Sequence, residues 1–272
     1  MTQAPPRVLT IAGSDSGGGA GIQADLRTLF ACGVHGCVAL TAVTVQNSLG
    51  VTGVAEIPPD TVAAQVVAVA EDIGLQAAKT GMLASAAIIE AVTPALDRVG
   101  IGRSGRTPFV VDPVSASMHG DPLLADSALD ALRGLLFPRA TLVTPNLDEV
   151  RLITGIAVKD RADQRVAAEA LHALGPEWVL VKGGHMWDDP ECLDLLHDGR
   201  EFIELPGPRY DTAHTHGSGD TLASSISAAL ALGASVPEAV RFGKDFIVRS
   251  VAAAYPLGAG VGPVSPFWKL TG

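Results

Sequence analysis

Val8-Leu9-Thr10-Ile11-Ala12, then Gly13-Ser14-Asp15-Ser16-Gly17-Gly18-Gly19-Ala20-Gly21, then the helically spaced run 22–32, reads as a buried strand, a glycine-rich loop and a helix. The same alternation recurs along the chain. Short apolar strands are predicted over 8–12, 36–45, 77–80, 109–112, 140–144 and 178–182, with helices over 21–32, 59–72, 85–99, 127–136 and 161–174. Such strands separated by helices predict an α/β fold whose mostly parallel sheet is covered on both faces. Stretches 192–197 and 200–205 flank Asp198-Gly199, a strong turn signal, so an antiparallel edge hairpin should follow. Two helices, over 218–232 and 236–254, close the chain, and a long loop is expected at 102–107. With 272 residues, 47% of them hydrophobic, the chain reads as one domain spanning 1–272.

Three consecutive glycines at 17–19 imply close backbone approach. The loop is neither the G-x-G-x-x-G dinucleotide fingerprint nor a G-x-x-x-x-G-K-[ST] phosphate loop, which disfavours nicotinamide enzymes and P-loop NTPases. A ligand-free connector between strand and helix also fits the loop.

Thr215-His216-Gly217-Ser218-Gly219-Asp220-Thr221 precedes a small, apolar helical stretch. Glycines at 217 and 219 let backbone N–H groups turn inward at a helix start, where the dipole favours an anion such as phosphate. Asp220, in the first turn, is then placed to take a proton from a hydroxyl attacking that phosphate. A plain glycine turn with an acidic helix start fits the same residues. Thr144-Pro145-Asn146-Leu147-Asp148-Glu149 likewise supports two readings. Asn146 and Glu149 are spaced to hold the waters of a hydrated Mg2+ ion, or to form an N-cap and capping-box pair.

Composition narrows the partners. A net charge of -10 argues against nucleic acid and anionic membranes. No apolar run reaches membrane-helix length, and residues 1–7 are too short and polar for a signal peptide, so a cytoplasmic location is expected. Cys32, Cys37 and Cys192 lack metal-like spacing and suit a reducing compartment as structural thiols.

Together with Gly13-Ser14-Asp15 and the stretch 17–26, the chain carries Val45-Gln46-Asn47, Lys79-Thr80-Gly81-Met82-Leu83, Asp112-Pro113-Val114, Gly120-Asp121-Pro122-Leu123-Leu124, Thr144-Pro145-Asn146, Lys182-Gly183-Gly184-His185 and Thr215-His216-Gly217-Ser218-Gly219. In this order, from about residue 7 to Pro263, the set resembles the hydroxymethylpyrimidine/phosphomethylpyrimidine kinases of thiamine biosynthesis, which are ribokinase-like enzymes. The Asn146-x-x-Glu149 and Gly-x-Gly-Asp elements are shared across that superfamily. The Gly-rich loop with Gln23-Ala24-Asp25, and the Gln46 and Met82 contexts, narrow the resemblance to the vitamin kinases. Two positions depart from it. Asp220 stands where the pyrimidine kinases usually have cysteine and the sugar and pyridoxal kinases aspartate; Ala259 stands where histidine is expected.

The resemblance implies Mg-ATP as phosphoryl donor, a small aromatic heterocycle bearing a hydroxymethyl group as acceptor, a second phosphorylation of the resulting monophosphate, and a homodimer. It implies Asp220 as base and Gly217, Ser218 and Gly219 as the anion site. Glu149 would serve the metal, and Asp112, Asn146, Lys182 and Thr215 the nucleotide and its phosphates. Gly13, Asp25, Gln46, Met82 and Val114 would form the substrate pocket. Pyridoxal kinase is the alternative of the same fold. A vitamin-binding module without chemistry would have lost Asp220 or Glu149, and both are present.

Overall fold

A computed structural model describes residues 4–103, 105–115, 126–186 and 189–271. Gly120-Asp121-Pro122-Leu123-Leu124, part of the resemblance, lies outside the described residues. The strands are β1 (Arg7–Ser14), β2 (His35–Asn47), β3 (Gly50–Glu56), β4 (Ala77–Thr80), β5 (Phe109–Val111), β6 (Leu142–Val143), β7 (Trp178–Val181), β8 (Asp194–His197) and β9 (Phe202–Leu205). Among the described residues they form one sheet in the order β3-β2-β1-β4-β5-β6-β7-β8-β9. From β2 through β7 neighbouring strands run parallel, while β3 at one edge and β8 and β9 at the other run antiparallel.

The helices are α1 (Gly21–Ala31), α2 (Pro59–Asp72), α3 (Ala86–Val99), α4 (Asp126–Ala131), α5 (Leu147–Thr154), α6 (Arg161–His172), α7 (Ser218–Ala231), α8 (Val236–Ala252) and α9 (Trp268–Thr271). Strand alternation distributes them over two layers. Leu9, Ile11, Ala78 and Val111 join the apolar core under α2 to α6, whereas Val8, Ala77 and Val110 join the core under α1, α7 and α8. Near-zero exposure on both faces explains why these strands read as unbroken apolar runs.

The ribokinase-like α/β reading and the hairpin around Asp198-Gly199 match the structure, where His197 pairs with Phe202. The reading of 36–45 as a lone strand is corrected. β2 continues to Asn47 and folds back as β3, which makes a second antiparallel edge. The turn carries Ser48-Leu49 rather than an Asn-Gly signal, and exposed valines on both strands blur the alternation that marks a half-buried ribbon. The helix expected over 127–136 is present with a change of pitch: α4 ends at Ala131 and a wider, π-helical stretch continues to Leu136.

β1 lies between β2 and β4, so the chain leaves it first to one side and then to the other. Such a reversal opens a crevice beyond the carboxyl ends of the strands, where open α/β sheets bind ligands. The start of α7 faces this crevice.

Candidate active site

Gly217 begins α7 with φ 74° and ψ 15°, and no side chain caps the helix. A β-carbon at 217 would run into the carbonyl oxygen of Gly19, so both the left-handed backbone and the close approach of the 15–20 loop require glycine here. Ser218 N–H turns back to the Thr215 carbonyl at 3.1 Å and Thr221 N–H bonds Gly217 at 2.9 Å. Among the described residues, the N–H groups of Gly219 and Asp220 find no acceptor in the chain. They are the orphan donors of a helix start, at its positive end.

Asp220 sits in this first turn with its side chain 14% exposed. Gly21 N–H reaches its Oδ2 at 3.1 Å, and Lys79 Nζ lies 3.5 Å from its Oδ1. Lys79 comes from β4 and is wholly buried. Its nearer partner is Asp25 Oδ1 at 2.8 Å; Asp25 also accepts the hydroxyls of Thr10 and Ser224, each at 2.6 Å. The expectation that Asp25 touches substrate is corrected. The carboxylate has no exposed surface, and both its oxygens are taken inside the layer between sheet and helices. Burial pushes its carboxyl up to about 6 against the pull of Lys79. Burial alone would lower the Lys79 ammonium, but Asp25, Asp220 and Asp112 outweigh it and raise the group above its usual range.

Across the helix start, Lys182 follows β7. Its Nζ lies 3.0 Å from Asp112 Oδ1 and 4.0 Å from Glu149 Oε2, and Thr144 donates to the same Asp112 oxygen at 2.9 Å. A β-carbon on Gly219 would stand 3.2 Å from Asp112 Oδ2 and 3.5 Å from Lys182 Nζ, so this triad borders the orphan donors of α7. Burial opposes charge on Lys182, while the two carboxylates raise its ammonium above the ordinary value. Glu149 is buried too, and desolvation pushes its carboxyl up to about 7 in spite of Lys182.

Asn146 and Glu149 form a capping box on α5: Glu149 N–H donates to Asn146 Oδ1 at 2.9 Å and Asn146 N–H to Glu149 Oε2 at 2.8 Å. The Asn146 carboxamide oxygen serves the helix start, and its backbone bridges to Lys182 at the same rim. A hydrated Mg2+ ion still fits the donor set through Asp112 and Glu149, because it prefers oxygen ligands and keeps most of its water. Among the described residues no group of three His, Cys, Asp or Glu side chains is placed to hold a metal ion.

The glycine-rich loop turns its donors inward. Gly17 N–H bonds Asp15 Oδ1 at 2.8 Å, and Gly19 and Ala20 N–H bond Oδ2 at 2.9 Å. His216 Nε2 reaches the same Oδ2 at 2.9 Å. Burial would raise the Asp15 carboxyl, but the bonds from His216, Ala20 and Gly17 lower it overall. Asp15 therefore ties this loop to the one that opens α7. Sequence reasoning placed Asp15 at the rim beyond the first strand without a partner and gave His216 no role of its own; a carboxylate two to five residues before a run of loop N–H groups was the available signal.

Gln46, half-buried at the end of β2, has Oε1 3.1 Å from the Thr44 hydroxyl and Nε2 3.4 Å from His216 Nε2. Gly13 and Met82 share the adjoining strand ends, and a β-carbon at 13 would strike the Met82 methyl. Val114 is half-buried just past β5 and donates its N–H to the Asp112 carbonyl at 2.9 Å. The structure thus gathers Asp220, Gly217 to Gly219, Thr215, Gln46, Met82, Gly13, Val114, Asp112, Lys182 and Glu149 at one rim, and leaves Asp25 beneath it. No helix among the described residues is long and apolar enough to cross a membrane.

A helix start with free donors, a carboxylate in its first turn and a lysine between two acids suits phosphoryl transfer to an alcohol. The phosphomethylpyrimidine kinase family matches this chain over residues 15–265. The hydroxymethylpyrimidine/phosphomethylpyrimidine kinase of Mycobacterium bovis is 60% identical over 98% of this chain and 96% of its own length. Among solved structures, Bacillus subtilis pyridoxal kinase in complex with ADP superposes with a TM-score of 0.89, 37% identity and coverage of 97% and 98% of the two chains. The phosphomethylpyrimidine kinase of Clostridium difficile superposes with a TM-score of 0.79, 39% identity and coverage of 90% and 99%. Fold likeness thus reaches both vitamin kinases, while the full-length sequence match and the family assignment lie with the pyrimidine enzymes: the chain belongs to the phosphomethylpyrimidine kinase family, phosphotransferases of thiamine biosynthesis.

Proposed function

We propose that this kinase phosphorylates 4-amino-5-hydroxymethyl-2-methylpyrimidine, and then its monophosphate, with ATP as donor and Asp220 as the base that takes the hydroxyl proton. The observation carrying this division of labour is the start of α7, where the free N–H groups of Gly219 and Asp220 share one turn with the Asp220 carboxylate. Those donors, with Gly217 and Ser218 shaping the turn, stabilise the charge on the phosphoryl group in transit. Lys182 lies beside them and neutralises nucleotide phosphate. Transition states for this transfer are loose, so positioning and electrostatics outweigh proton removal.

Mg2+ is the expected companion of ATP, with Asp112 and Glu149 as the residues that would hold its waters. When bound, the ion would neutralise charge on the phosphates. Thr215 precedes the anion turn on the nucleotide side. Gln46 reads the polar edge of the ring, Met82 and Val114 pack against its faces, and Gly13 leaves the space that Met82 fills.

The chain works as one domain and as a homodimer. Residues 36–55 hold no charged side chain, and β3 leaves a sheet edge open beside exposed Val43 and Val45. An uncharged edge of this kind suits pairing with a second copy.

Asp220→Asn tests the base. It should keep the fold and ATP binding and lower kcat by roughly 100- to 10,000-fold. A kcat within about threefold of wild type would reduce Asp220 to a favourable helix-start charge.

A further inference from the structure

We propose that Lys79 is the positioning residue of Asp220: a buried ammonium that holds the catalytic carboxylate aimed at the helix start, with Asp25 as its fixed counterion. The inference rests on the reading of Asp220 as the base. Neither Lys79 nor Asp25 can touch a ligand, because both side chains are 0% exposed. A cation so placed works only through its neighbours.

The surroundings dictate what it does. Lys79 occupies the alternation position that faces α1 and α7, two residues after apolar Ala77, so an apolar side chain would suit the layer. The lysine instead brings a charge that must be neutralised in a dry space. Asp25 supplies that at 2.8 Å, and its two oxygens also accept the Thr10 and Ser224 hydroxyls. The ammonium also reaches Asp220 Oδ1 at 3.5 Å, while Gly21 N–H holds Oδ2 at 3.1 Å. Two carboxylates about one ammonium leave one net negative charge, and a proton arriving on Asp220 removes it. The proton leaves the substrate hydroxyl as its oxygen bonds to phosphorus and the bond to the ADP leaving group breaks, so charge and atoms balance.

Other charged groups surround the helix start as well. Asp112 follows β5, Lys182 follows β7, Glu149 lies on α5, and His216 precedes α7, paired with Asp15 from the loop before α1. Lys182 is engaged with Asp112 and Glu149, and His216 with Asp15. Among the described residues, Lys79 is the cation in direct contact with Asp220.

Lys79→Met alone would strand Asp25 as an unpaired buried acid and threaten folding. The test is therefore the double variant Lys79→Met with Asp25→Asn, which replaces the ion pair by neutral groups of similar shape, with folding checked by near-UV circular dichroism. Its kcat should fall about tenfold, because Asp220 loses the contact that aims it, with the KM for ATP little changed. In an Asp220→Asn background the same two substitutions should cost less than about threefold, because the group they act through is gone. A folded double variant with the wild-type kcat, or equal losses in both backgrounds, would make the buried pair purely structural and overturn the proposal. Asp220→Asn measured alone separates the two readings: if it retains activity the base assignment fails, whereas if it is inactive while the double variant matches wild type, only the role of Lys79 fails.

Discussion

Gly217 shows how one residue sets the chemistry. Its φ of 74° and the Gly19 carbonyl beside it leave no room for a β-carbon, and the free donors of α7 follow directly. Gly217→Ala should therefore lower the melting temperature by several degrees, since the left-handed conformation costs about 1–2 kcal/mol and the collision adds to it. It should also lower kcat by about tenfold or more, because displacing the turn moves the anion site. Gly134→Ala is the control, as nothing lies within 4 Å of a β-carbon there and its φ is not positive. Thermal melts and steady-state rates of the two variants decide it; equal effects would deny Gly217 a special role. Residue types carried much of this in the sequence: glycines at 217 and 219 and Asp220 could be read as an anion turn with a base. The same reading could not tell Asp25 from a substrate ligand, because burial is a property of the packed layer.

At the scale of elements, α5 presents Glu149 both as a helix cap and as a neighbour of Lys182. The two roles are compatible, since Oε2 accepts from Asn146 N–H while the buried carboxylate still faces the ammonium. Desolvation pushes the carboxyl from an ordinary 4.5 up to about 7, so the folded state binds the proton more tightly than the unfolded chain. That contribution to stability is fully present below about pH 4.5 and is lost as pH rises through about 7. Glu149→Gln keeps an acceptor for the cap but cannot titrate. The melting temperature of the variant relative to wild type should thus rise between pH 5 and pH 8; a gap independent of pH, or one that closes, would contradict this. The capping box was legible from the spacing of Asn146 and Glu149. The proximity of Asp112 and Lys182 was not, since they lie at the ends of other strands.

For the whole molecule, the strand order places β1 between β2 and β4 and so creates the crevice that α7 caps. The β2–β3 ribbon projects from the same region, and its turn is pinned by Gly260 and Val261, whose N–H groups bond Ser48 at 3.2 and 3.0 Å. Val43 and Val45 are 43% and 63% exposed on this ribbon, on the surface assigned to the second copy. Val43→Lys with Val45→Lys should shift sedimentation velocity from dimer to monomer at micromolar concentration by placing like charges across the contact. A dimer that persists would move the interface elsewhere.

By itself the sequence determined the α/β class, most element positions and the chemistry available at the α7 start, because these depend on local periodicity, glycine placement and residue type. The resemblance added the family and substrate. Tertiary structure alone decided that Asp15 serves its own loop, that β3 adds an edge, and that Lys79 and Asp25 lie beneath Asp220. Those outcomes depend on which side chains are brought together and dried by elements distant in sequence, and a carboxylate or an ammonium carries no local mark of the partner it will meet.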